Sequence, residues 1–225
     1  HNGKPTHEWL SGEDSASPTA ALESMFLTST IDAKEERDVM SADVPNAFIQ
    51  TPMPDDNKKV IMKIAGVLVH LMVEQAPEVC GPHVVHENGK KVWCVAVLKA
   101  LHRMLVSSLL WCNKFKKDLE CCGFVFNPCD PCVANKMVNG KQHTIRFHVD
   151  DLMCSHVDPE VNTKFLKWLN SKHGTCGEVK AMRGKIHEHL GMQFDYSKPG
   201  HVIIGMTKCM KAMVDDFPMK LKPSD

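Results

Sequence analysis

The stretch FHVDDLM, residues 147–153, decides the reading of this chain. Apolar residues flank two adjacent carboxylates, Asp150 and Asp151. Neighbouring strand positions point to opposite faces of a sheet, so consecutive Asp residues share a site only where the backbone turns between two strands. Two like charges there repel unless a cation or a partner neutralises them. A polar hairpin turn accounts for the dipeptide taken alone, because Asp is common in turns.

Outward from this stretch, short apolar runs and turn signals alternate. VANKMV and HTIRFHV flank Asn139-Gly140, and LMCSHV follows the Asp pair. Asn-Gly between apolar runs is a hairpin signal, repeated at Asn88-Gly89. Asp158-Pro159 opens a helix with Val161, Phe165, Trp168 and Leu169 on one side, ending before Gly174. Leu98, Leu101, Leu105, Leu109, Cys112, Phe115 and Leu119 recur at helical spacing, and Gly123 supplies a stop. Ser17-Pro18 reads as N-cap and first residue of an earlier helix, and VMSADV as a strand closed by Pro45. Residues 51–59 read as a polar loop, and 60–79 fit strand or helix. Strands are expected at 188–195 and 201–206, then a helix capped by Thr207 with Met210, Met213, Val214 and Phe217. The mixture is an α+β domain.

SADVPNAFIQ, residues 41–50, places Asp43 at a strand end. Alone, it is an ordinary strand-end Asp. With the pair 107 residues later, it completes a set of three carboxylates that adjacent strands could unite. Hard Mg²⁺ ions take carboxylate oxygens together with water and phosphate oxygens. Two such ions can activate a 3′-hydroxyl and stabilise a leaving pyrophosphate.

Bulk properties set limits. The chain has 225 residues with 27 basic and 27 acidic side chains. Residues 1–60 carry 11 acidic and 5 basic groups, whereas 90–117 carry 7 basic and no acidic ones. That stretch suits phosphate neutralisation or a solvated helix face. No apolar run approaches the ~18 residues of a membrane helix, and no secretory signal is seen. Ten Cys without such a signal read as free thiols. The chain begins without Met and reads as a fragment or processed piece.

Several motifs together resemble the reverse transcriptase of copia-type LTR retrotransposons. The carrying residues are SPTAALES (17–24), RDVMSADVPNAFIQT (37–51), VLKALHRM (97–104), LLWCNKFKKDLECCGF (109–124), NPCDPCVANK (127–136), FHVDDLM (147–153) and HLGMQF (189–194). They stand in the family's order at about its spacing. The resemblance implies a right-hand polymerase palm, an antiparallel sheet with helices packed on one face, plus partial fingers. Residues 1–40 would be partial fingers and lead-in helix, and 41–225 palm, with an inserted fingers segment at about 52–97. It makes Asp43, Asp150 and Asp151 the catalytic, metal-binding carboxylates for two Mg²⁺ ions, with Mn²⁺ as a substitute. Asn46, Ala47 and Phe48 would bind the nucleotide, Phe48 blocking a 2′-hydroxyl. Lys99, Arg103 and Gly191 would contact template and primer. Implied partners are an RNA or DNA template with primer, dNTPs, and the integrase and RNase H regions of one polyprotein, without a membrane. The implied location is a cytoplasmic virus-like particle, with a nuclear destination for the DNA.

The departures point to a decayed element copy. Where the family has Leu-Tyr-Gly-Leu, this chain has Leu101-His102-Arg103-Met104. His148, Cys112 and Cys129 occupy positions the family gives to Tyr or Tyr-like residues. The alternative is therefore a nucleic-acid-binding remnant without catalysis. Cys129 and Cys132 form a CxxC that could belong to a zinc site, but they fit the polymerase pattern and read as reduced thiols. His187-Glu-His189 reads as exposed strand residues. Lys180 and Lys185, weighed as general acids, read as surface lysines. Met182, Met192, Met206, Met210 and Met213 read as core filler.

Overall fold

The computed structural model describes residues 16–55 and 59–217. The expected fingers tail around Asn2-Gly3-Lys4 lies outside them. In chain order, α1 (Leu22–Lys34) leads into β1 (Asp38–Asp43) and a short 3-10 helix, Phe48–Gln50. Next come β2 (Ile61–Ala65), α2 (Val67–Gln75), α3 (Pro77–Cys80), β3 (Val84–Glu87) and β4 (Lys90–Ala96). α4 (Ser107–Cys121) precedes β5 (Val125–Asn127), β6 (Asp130–Val138), β7 (Lys141–His148) and β8 (Asp151–His156). α5 (Pro159–His173), β9 (Lys180–Arg183), β10 (Ile186–His189), β11 (Met192–Asp195), β12 (Ile203–Gly205) and α6 (Thr207–Asp215) follow.

The fold is mixed α+β with antiparallel pairing. One sheet has the order β5-β6-β7-β8-β1-β9, and two smaller ones run β2-β4-β3 and β10-β11-β12. Period-two alternation sends Met40, Ala42, Ile145, Phe147, Leu152 and Cys154 to one face of the large sheet. There they meet Trp111, Phe115 and Leu119 of α4 and Phe165 and Leu169 of α5. The intervening Val39 and Met153 meet Met25 and Ala33 of α1 and Met192 and Phe194 of β11. Both faces are thus covered, which corrects the expectation of helices on one face only.

On the α1 side the sheet buries a charged group of residues. Asp32 accepts from Ser155 and lies 3.8 Å from Arg37 and 3.7 Å from Arg146. Burial pushes the Asp32 carboxyl up, against the pull of the two arginines. The Arg146 guanidinium also sits 5.3 Å from the Phe194 ring, joining the large sheet to β11.

Local signals mostly act as expected. Both Asn-Gly pairs form hairpin turns with positive φ at each residue. Asp158 caps α5 by accepting from the Glu160 N–H at 2.9 Å, and Gly123 follows α4 with φ 83°. Four boundaries differ. α1 begins at Leu22, not Pro18, because the Ala21 N–H donates to Asp130 from β6. α4 begins at Ser107, so the apolar period from Leu98 overruns the helix. Ala100 N–H donates to Thr51 O and Leu98 O accepts from Met53 N–H, which diverts this backbone to another loop. The strand expected at 188–195 is a hairpin, β10–β11, turning at Leu190-Gly191. Thr207 is the first residue of α6 and makes no capping bond. Of the five Met read as core, only Met192 is buried. Met206, Met210 and Met213 lie exposed on and beside α6, a helix with no buried residue.

Candidate functional site

β1 and β8 pair antiparallel with Asp43 directly opposite Asp151. Directly opposed residues project to the same face, with Cβ atoms ~5 Å apart. The row continues on both sides: His148 pairs with Asp151 across β7–β8, and Lys180 pairs with Asp43 across β1–β9. Four strands therefore present His148, Asp151, Asp43 and Lys180 side by side. β9 was not anticipated; its register brings Lys180, weighed from the sequence as a general acid but read as a surface lysine, beside Asp43. An exposed lysine has no sequence signature that separates it from any other surface lysine.

Asp150 lies in the two-residue turn between β7 and β8. Its carbonyl accepts from the Val44 N–H at 3.0 Å, tying the turn to the end of β1. The first turn residue, Val149, has φ 55°, a conformation that β-branched residues rarely adopt. The Trp111 indole N–H donates to Val149 O at 2.7 Å and holds that residue from α4. Backbone strain of this kind persists where surrounding contacts over-determine it, and it clusters at functional sites.

The electrostatics follow from the crowding. Partial burial raises the Asp43 carboxyl above its ordinary value, as do the charges of Asp150 and Asp151, while Lys180 works the other way. Asp151 Oδ2 is 2.8 Å from Nδ1 of His189. His187 and His189 are buried, contrary to the reading of this stretch as exposed; of the three residues only Glu188 faces solvent. His187 Nδ1 lies 3.2 Å from Ser41 Oγ and its Nε2 3.1 Å from Gly184 O. Alternation at i,i+2 was visible in the sequence, but the covering sheet was not.

Among the described residues no group of three or more His, Cys, Asp or Glu side chains is gathered tightly enough to hold a metal ion as it stands. The donor set nevertheless suits a hard cation. It consists of carboxylate oxygens at a solvent-reachable edge, and their mutual repulsion adds to partial burial in raising Asp43. Mg²⁺ is bound through one or two carboxylates plus waters and phosphates, not through a closed protein cage. Asp43, Asp150 and the free oxygen of Asp151 are the residues that would hold it.

The other expected site residues fall into two groups. Asn46 (φ 53°) donates to Cys176 O at 3.2 Å, Ala47 is buried, and Phe48 begins the short 3-10 helix. The loop bearing Lys99 and Arg103 lies against this segment. Pro52 bridges to Lys99, and the His102 ring meets Phe48 edge-on at 4.9 Å. Lys99 and Arg103 are exposed. Gly191 lies elsewhere, lining a cleft of about 530 Å³ with Asp151, Lys208 and Cys209. Arg103 has φ 68°, the left-handed conformation that favours glycine. The basic stretch is divided: Lys90 and Lys91 lie on β4, while Lys114, Lys116 and Lys117 lie on α4, where Lys114 pairs with Asp118 at 2.9 Å.

All ten cysteines are free. Cys129 is exposed and Cys132 buried, and burial pushes the Cys132 thiol up to about 12. That favours a protonated thiol over a zinc-binding thiolate. Among the described residues no helix is long and apolar enough to cross a membrane. Compared with known proteins, the chain matches no family model and no curated protein.

Proposed function

We propose that this chain is the core of a copia-type reverse transcriptase, with the large sheet as its palm, adding dNTPs to a primer 3′ end on an RNA or DNA template. The observation that carries the proposal is the pairing of Asp43 with Asp151, Asp150 standing in the adjoining turn. Distant carboxylates on neighbouring strands are what two-metal phosphoryl transfer requires. Divalent cations bound there would neutralise developing negative charge on the triphosphate. The chain's own part is positioning. The β7–β8 turn, held by Trp111 and Val44, fixes Asp150 relative to Asp43. The Asn46–Phe48 segment lies directly after β1, and under this reading Phe48 would screen the sugar edge of the nucleotide.

Primer extension on an RNA template with Mg²⁺ tests the proposal. Extension by the chain, abolished in Asp150→Asn, supports it. A second reading is a binding remnant of the same element without turnover, and Arg103 favours it. Its positive φ at the position the family gives to Gly leaves a bulky side chain in a strained backbone beside Phe48 and His102. Salt-sensitive primer–template binding without extension supports that reading. Integrase and RNase H regions in one reading frame would be the partners under either reading; under the enzyme reading they would share a cytoplasmic virus-like particle whose DNA product goes to the nucleus.

A further inference from the structure

We infer that His189 is a positioning residue for the divalent-cation site, an inference that rests on the polymerase reading. β10 alternates exposed Ile186 and Glu188 with buried His187 and His189. The two imidazoles reach the two strands that carry the carboxylates. His187 meets Ser41, two residues before Asp43 on the same face of β1. His189 meets Asp151 at the start of β8.

The His189 side chain is fully buried, while that of Asp151 is 38% exposed. Among the described residues, the buried Nε2 of His189 has no hydrogen-bond partner. The ring's one polar engagement among the described residues is therefore Nδ1 with Asp151 Oδ2, and a carboxylate there makes Nδ1 the donor. This has two consequences. One lone pair of Oδ2 is taken by the imidazole, so Oδ1 is the less encumbered oxygen Asp151 offers a cation. The carboxylate is also held at the edge beside Asp43 by a ring that packing prevents from moving. Hydrogen bonds to ligating carboxylates orient them and tune the site, and losing such a partner commonly costs about 10–100-fold in metal affinity.

Mn²⁺ titration of the full chain, followed by electron paramagnetic resonance, tests this in four variants. His189→Phe keeps a ring without a donor. His189→Asn places an amide N–H near the Nδ1 position, and His189→Gln places it one bond too far. Asp43→Asn removes a carboxylate. The expected result is Mn²⁺ affinity lowered about 10-fold or more in the Phe and Gln variants, recovered in the Asn variant, and lost in Asp43→Asn. A merely structural histidine would not discriminate Asn from Gln in this way. Wild-type affinity in His189→Phe, or equal weakening in Asn and Gln, overturns the role of His189 and leaves the carboxylate site standing. If wild type and Asp43→Asn bind Mn²⁺ alike, the carboxylate site falls and the inference with it. Should the Phe variant fail to fold, the Asn and Gln pair decides.

Discussion

Asp43 and Asp151 stand opposite each other in register across β1 and β8, with Lys180 on the far side of Asp43. Without a cation the carboxylates repel. The raised Asp43 carboxyl means that the folded state keeps a proton the unfolded chain releases. Stability therefore falls as pH rises from the unfolded carboxylate value through the raised one. Asp43→Asn is expected to stabilise the cation-free chain by about 0.5 kcal/mol, the scale of exposed charge pairs. Under the proposed function Mg²⁺ is expected to raise the melting temperature of wild type, and this substitution to abolish that rise. Calorimetric melts with Mg²⁺ or with chelator check both.

Trp111 and Val149 form the second link in the site, joined by the indole-to-carbonyl hydrogen bond. Trp111→Phe keeps an aromatic ring but leaves a partly buried carbonyl unpaired. The expected loss is about 1–3 kcal/mol in urea denaturation, with weaker divalent binding because the Asp150 turn loosens.

Arg103 occupies a left-handed conformation on an exposed loop. Arg103→Gly relieves that strain, although glycine also gains freedom in the unfolded chain. A net stabilisation of up to about 1 kcal/mol is expected. Under the remnant reading the same change should bring back measurable primer extension.

His143 and His173 are buried, and burial lowers each to about 4. His156 adds to the shift at His143, and Lys114 to that at His173. The unfolded chain binds these protons first, near the ordinary histidine value of ~6.5, so stability declines as pH falls from about 6.5 toward 4. Each group contributes a slope of up to about 1.4 kcal/mol per pH unit in that window. Urea midpoints at pH 7 and pH 5 measure the slope. His143→Phe, in a site already bordered by Phe124 and Phe165, should make it shallower.

Asp32 balances two buried arginines under α1. Asp32→Ala takes the nearby carboxylate from buried Arg146, while Arg37 keeps Glu35 at 2.9 Å, and is expected to cost about 3–5 kcal/mol. Chemical denaturation, compared with the exposed variant Glu188→Ala as a control, checks it.

The sequence by itself determined the strand–turn–strand around Asp150-Asp151, the two Asn-Gly hairpins, the helix opened by Asp158-Pro159 and the stop at Gly123. Each depends on chemistry within a few residues: φ > 0 at a turn, a capping carboxylate, period-two apolarity. It also placed Asp43 at the end of a strand, since VMSADV and Pro45 bound that strand locally.

Only the tertiary structure decided what faces what. The start of α1 depends on Asp130 from β6, and the start of α4 on hydrogen bonds lent to residues 51–53. Burial of His187 and His189 depends on a small sheet closing over β1 and β8, and the nearness of Lys180 to Asp43 depends on the register of β9. The apolar period that continues from Leu98 into α4 and the methionines of α6 misled in the same way. Spacing along a chain reports which residues share a face, whereas the partner of that face is fixed by contacts between segments far apart in sequence.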